Sequence, residues 1–263
     1  MKKKKKSYYI VFILLFLYLL FMFYFFVIPS SHKSSRKMYI MVDNTAKWKF
    51  EGKKWEDIKS TESNLYDWQE FSIYKRGNYL GKYYLLYNDQ FLWYDKNRHP
   101  IQKNGSTMLA VRSNQDFKVA EYSTTTISLE DMSYVDEILQ QYNISTREII
   151  FQEAFSYDLD SDGNQEKIFT VSNLFEPNYA PDKIFSFIFV VKNDRITVVS
   201  SMVDTLDKKN EHCRSYVHSL VDTNQDGNYE FITGCGYYNS TKNCVEMFEY
   251  QKNQYKKIKS CQE

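Results

Sequence analysis

SYDLDSDGNQEKIFTVSN, residues 156–173, decides how the chain is read, because it returns as SLVDTNQDGNYEFITGCG at residues 219–236. In each copy an acidic loop opens a β-prone run. Asp158 and Asp222, which begin the two loops, stand 64 residues apart. Residues 184–191 and 196–200 follow the first loop, and residues 245–250 and 255–260 follow the second. These runs are rich in β-branched and aromatic residues, the composition of strands. Each unit therefore reads as loop, strand, strand, strand. A period of this length marks architectures whose units stack or radiate around an axis.

The loops carry the chemistry. The first places Asp158, Asp160 and Asp162 at positions 1, 3 and 5, Gly163 at position 6, Asn164 at 7 and Glu166 at 9. The second repeats this with Asp222, Asn224, Asp226, Gly227, Asn228 and Glu230. Oxygens at alternate positions converge only if the loop curls, and a glycine at position 6 permits the turn. An oxygen-only donor set suits calcium, and magnesium less well. An EF-hand would need a bidentate Glu at position 12 between two helices. Here Phe169 and Thr233 stand at position 12 and the flanks are strand-like. The metal-free alternative closes the same loops with Asp and Asn side chains bonded to nearby backbone. It leaves four carboxylates of the first loop crowded without a cation.

This pattern resembles the calcium loops of FG-GAP or VCBS-type repeats, seen in integrin-like β-propellers. The resemblance covers residues 151–263 as two tandem units. It implies structural Ca2+ ions that clamp strand connections. The side-chain ligands it implies are Asp158, Asp160, Asp162 and Glu166 in one loop, and Asp222, Asn224, Asp226 and Glu230 in the other. Asn164 and Asn228 would offer their carbonyls. The expected fold is a propeller-like or stacked β-sheet repeat domain, short of a complete propeller.

Working outward, residues 47–150 read as a β-rich region, so the chain is mainly β with one or two helices, α+β overall. Asn88-Asp89 and Asn104-Gly105 mark turns. A helix is expected near residues 128–142, with Ser128 at its start and Met132, Val135, Ile138, Leu139 and Tyr142 on the face that packs on a sheet. Residues 29–46 read as a polar stalk. Residues 8–28 carry no charge, and at about 1.5 Å per residue they reach about 30 Å, the hydrocarbon thickness of a bilayer. Lys2 to Lys6 precede them, which favours a single-pass transmembrane helix with residues 1–7 cytoplasmic. The rest would then be extracellular at the plasma membrane, anchored by this N-terminal signal-anchor helix. A signal peptide cleaved near Ser30 is the alternative.

Cys213, Cys235, Cys244 and Cys261 all fall in the second unit. An even number of clustered cysteines suggests two disulfides. Cys235–Cys244, flanking a hairpin loop, with Cys213–Cys261 is the favoured pairing. Free thiols, and a zinc site with His212 and His218, remain open. The net charge of +1 provides no basic field for nucleic acid. The motifs GxSxG, HExxH and Walker A are absent. The expected function is a membrane-anchored extracytoplasmic binding or scaffold protein that contacts a protein or glycan. A cell-envelope hydrolase with an unrecognised site and purely structural calcium is the alternative.

Overall fold

The strands sort their side chains by alternation, and the sheets stack on the faces that result. The structure, a computed structural model, describes residues 36–42, 46–51, 54–59, 68–88, 90–100, 108–144, 149–174, 183–205, 213–237 and 243–260. Seven strands come first: β1 (Lys37–Val42), β2 (Ala46–Glu51), β3 (Lys54–Asp57), β4 (Gln69–Lys75), β5 (Asn78–Asn88), β6 (Gln90–Tyr94) and β7 (Leu109–Ser113). They form sheet I in the order β3-β2-β1-β7-β4-β5-β6, with antiparallel neighbours. A two-residue strand, β8 (Lys118–Val119), and helix α1 (Met132–Gln141) follow.

The two sequence repeats become two antiparallel meanders. In the first, β9 (Phe151–Tyr157), β10 (Glu166–Ser172), β11 (Lys183–Lys192) and β12 (Arg195–Thr205) lie side by side as sheet II. In the second, β13 (Cys213–Asp222), β14 (Glu230–Tyr237), β15 (Asn243–Gln251) and β16 (Gln254–Lys259) do the same as sheet III, and β8 adds to the β13 edge. Each unit thus has a strand before its loop as well as three after it. The acidic loop joins the first strand to the second.

Sheet III is apolar on both faces, which requires cover on both. Leu220, Phe231 and Phe248 cluster with Ile168, Ile188 and Val199 of sheet II. Their sequence neighbours Val221, Ile232 and Met247 cluster instead with Met38, Ile40 and Trp48 of sheet I, and with its Leu109 and Val111. Sheet III therefore lies face to face with each of the other two. Helix α1 covers the other face of sheet II, placing Val135, Ile138 and Leu139 on Phe169, Phe185, Phe187 and Phe189. Burying one such aromatic contributes roughly 1.5–3 kcal/mol.

The structure corrects four expectations. The first concerns the membrane helix. Residues 8–28 lie outside the described residues, and among the described residues no helix is long and apolar enough to cross a membrane. Helix α1 has 10 residues, about 15 Å against the roughly 30 Å a span needs. The transmembrane helix, the signal-anchor and the plasma-membrane localisation with its extracellular domain therefore have no support in the structure. The second concerns the stalk expected over 29–46. Lys37–Val42 is instead β1, paired on both sides, with Met38, Ile40, Met41 and Val42 buried.

The third concerns only the start of the helix expected near 128–142, which is present but begins at Met132. The Ser128 hydroxyl donates to Asp131 Oδ2 at 2.8 Å and accepts from Asp131 N at 3.2 Å, closing a turn ahead of the helix. The fourth concerns the disulfides. Cys235 does stand opposite Cys244 across β14 and β15, yet its bond goes to Cys213 on β13, with the Cα atoms 5.3 Å apart. A central strand has a neighbour on each side, and sequence proximity along a hairpin identifies only one of them. Cys244 is also disulfide-bonded, and Cys261 lies outside the described residues. Of the two expected turns, Asn88 pairs with Gln90 where β5 meets β6, while Asp89 and Asn104-Gly105 lie outside the described residues.

Phe231, fully buried between sheets II and III, tests the stacking. Phe231→Ala should cost about 3–5 kcal/mol of stability, read as a lowered urea midpoint. A loss below about 1 kcal/mol, typical of a surface position, would mean that the two sheets do not close on this ring.

Candidate metal centre in the paired acidic loops

The two loops share one backbone course. Position 4 is left-handed in both, at φ +57° for Ser161 and +59° for Gln225. Position 6 is left-handed as well, at +89° for Gly163 and +87° for Gly227, where a side chain would add about 1–2 kcal/mol of strain. The position-2 amides of Leu159 and Thr223 donate to Glu166 Oε2 and Glu230 Oε2 at 2.7 and 2.8 Å. The position-7 amides of Asn164 and Asn228 donate to Asp162 Oδ1 and Asp226 Oδ1, both at 2.8 Å. The hairpins that close the third and fourth strands also match. Asn193 and Asp194 in one, Lys252 and Asn253 in the other, have positive φ at both central residues, the signature of a type I′ turn.

In the first loop, carboxylate oxygens of Asp158, Asp160 and Glu166 lie within 4.8 Å of one another. Asp158 accepts from the amides of Asp162 and Gly163 at 3.1 and 3.0 Å. A cation from the chain itself enters this cluster. Lys192, the last residue of β11, hydrogen-bonds Asp160 Oδ2, lies 2.7 Å from Asp162 Oδ2 and lies 3.1 Å from Glu166 Oε1. Burial opposes its charge, but the hydrogen bonds to Asp160, Asp162 and Glu166 outweigh that and hold the ammonium above the usual lysine range. The hydrogen bond from Lys192, then the amide of Asn164, hold the Asp162 carboxyl below the usual carboxylate range. Among the described residues, Asp160 Oδ1 is buried with no hydrogen-bond partner.

The second loop lacks such a lysine. Among the described residues no ammonium or guanidinium pairs with Asp222, Asp226 or Glu230. The loop ties itself instead. Asn224 Nδ2 donates to Asp226 Oδ2 at 2.8 Å, and Asp226 N donates to Asn224 Oδ1 at 2.9 Å. Asn228 Nδ2 donates to Asp226 Oδ1 at 3.1 Å. Asp222 is 1% exposed, and its Oδ1 has no hydrogen-bond partner among the described residues. It lines a cavity of 440 Å³ with Asp226, Gly227, Gln225, Ser161, Asp116 and Lys118. Glu230 is 3% exposed, and burial pushes its carboxyl up to about 8 against the amide bond from Thr223. This donor set fits a hard cation: it is oxygen only, and one buried carboxylate oxygen lacks a partner.

The loops also touch each other. Ser161 donates its hydroxyl to the Gly227 carbonyl at 3.0 Å, Tyr229 N donates to the Leu159 carbonyl at 2.9 Å, and the Tyr157 hydroxyl donates to that of Tyr229 at 3.1 Å. The ten expected ligand residues thus belong to two adjoining loops, and among the described residues only Asp158, Asp160 and Glu166 bring carboxylate oxygens within 4.8 Å of one another. Asn164 takes part through its backbone amide. Sequence reasoning missed Lys192, Ser161 and Tyr229. The one local signal for Lys192 was its position as the first charge after the apolar run of β11, just before an Asn-Asp turn.

Glu230 makes the loop's stability depend on pH. Its carboxyl titrates near 4.5 when unfolded and near 8 when folded. The folded protein therefore holds the extra proton between these values. Its contribution is complete below about pH 4.5 and is lost as pH rises through about 8. In chelator, the melting temperature of the wild type should fall more steeply between about pH 5 and 8 than that of Glu230→Gln. Parallel profiles would show that this carboxyl is not raised. No protein-family model matches the chain, and neither does any curated protein or solved structure.

Proposed function

We propose that this protein is a binding or scaffold module of the FG-GAP or VCBS kind, whose β repeats use structural calcium to hold their acidic loops in shape. The observation that carries the proposal is the duplicated loop, equal in φ at positions 4 and 6 and in the amide-to-Glu bond at its base. A geometry repeated in two places at the same strand junction is a structural device, and the carboxylate oxygens that converge in its first copy suit calcium.

A partner of protein or glycan type fits the exposed surface of sheet I. Trp68 is 38% exposed and packs its ring 5.2 Å from Tyr94, with the Arg98 guanidinium 4.8 Å from its centroid. Tyr79 and Leu80 are also exposed. Amphipathic aromatics and arginine are the residue types that anchor such contacts. The near-neutral net charge offers no field for nucleic acid. Away from the loops, a cavity of 230 Å³ beside α1 holds one carboxylate, Asp131, bound at 2.6 Å by Lys167. Its hydroxyl-rich wall has no second carboxylate, so no observation here favours the hydrolase alternative.

Melting of the full chain in calcium and in chelator tests the calcium part. A native-state site of about 10⁻⁴ M affinity, filled 100-fold above that value, stabilises by about 2.7 kcal/mol. The midpoint should rise by roughly 5 °C or more for a unit of this size. An unchanged midpoint would remove calcium from the proposal.

A further inference from the structure

We propose that Lys192 is a built-in counter-cation that fills the first acidic loop, so that the chain takes calcium at the second loop alone. This deepens the calcium reading of the loops and rests on it. The ammonium of Lys192 touches Asp160, Asp162 and Glu166, the carboxylates at positions 3, 5 and 9 that a metal ion would need. Seven of the first loop's eight carboxylate oxygens are already bonded. Asp158 uses both of its oxygens on the amides of Asp162 and Gly163. Asp162 divides its pair between Asn164 N and Lys192, and Glu166 divides its pair between Leu159 N and Lys192. Asp160 gives one to Lys192. A calcium ion, which takes six to eight oxygens, would have to displace the lysine and leave that ammonium without its partners.

The matching hairpin shows why the second loop differs. Lys192 pairs with Arg195 as the last residues flanking one type I′ turn, and Gln251 pairs with Gln254 flanking the other. The residue in the place of Lys192 is therefore Gln251, an amide with no charge, and its Nε2 donates to Glu249. Asp222, Asp226 and Glu230 form no ion pair among the described residues, although Lys118 lines the same cavity as Asp222 and Asp226, and the buried Asp222 keeps an oxygen without a partner on the wall of that cavity. The two loops have the same backbone and different occupants: an ammonium from the chain in one, a divalent cation from solution in the other.

Calcium titration of the full chain by calorimetry tests this. The wild type should bind one ion. Asp222→Asn should weaken that binding at least tenfold, and Asp160→Asn should leave it within twofold. Lys192→Gln, which copies the second repeat, should raise the stoichiometry to two. It should also melt below the wild type in chelator and recover in calcium. Lys192→Arg should keep a stoichiometry of one. Two ions in the wild type, or loss of the single ion in Asp160→Asn with Asp222→Asn unaffected, would overturn the assignment of Lys192 while leaving calcium binding intact. No uptake by either the wild type or Lys192→Gln would overturn the calcium reading itself. The comparison of Asp160→Asn with Asp222→Asn decides the matter even if Lys192→Gln does not fold.

Discussion

Two glutamates, Glu166 and Glu230, sit 3% exposed at the bases of the acidic loops, and the need to satisfy their buried charge governs both sites. An ion taken out of water costs several kcal/mol unless a partner and hydrogen bonds compensate. Each glutamate receives the same amide bond from position 2 of its loop, which offsets part of that cost. The remainder is met differently in the two units. Lys192 reaches Glu166 from the β11–β12 hairpin. Glu230 has no such lysine, and burial raises its carboxyl to about 8.

The sheets explain why neither loop can relax away from this problem. The first loop is anchored in sheet II and the second in sheet III, and these sheets share a core through Ile168, Ile188, Leu220 and Phe231. Sheet III is pinned from its other face by sheet I. The loops are held against each other by the Ser161–Gly227, Leu159–Tyr229 and Tyr157–Tyr229 hydrogen bonds. A cation bound in one loop therefore acts on a connection shared by two sheets.

Much of this was legible in the residues. The repeat, the turn glycines, the strands after each loop and the apolar face of α1 all follow from local patterns that depend only on near neighbours in the chain. Two of the misreadings share one cause, which is that the deciding contact is not local. A short strand such as β1 follows a run of polar residues, and only its pairing with β2 and β7 makes it part of a sheet. Cys235 was matched to its hairpin neighbour Cys244, yet the strand on its other side carries Cys213. Ser128 has the chemistry of a helix cap, and its hydroxyl meets both the side chain and the amide of Asp131, yet the helix begins one turn later.

What the sequence determined by itself is the mainly β character of the chain, the duplicated loop and the oxygen-rich donor set, because strand propensity, turn glycines and carboxylate spacing are properties of short segments. Which loop has its carboxylates met by a cation of the chain itself was decided by the tertiary structure alone. Lys192 lies 32 residues from Asp160 and meets it only because β11 pairs with β10 and ends at the mouth of the loop. In the second unit the same corner delivers Gln251. One side chain at the end of a strand thus separates two loops that read almost identically.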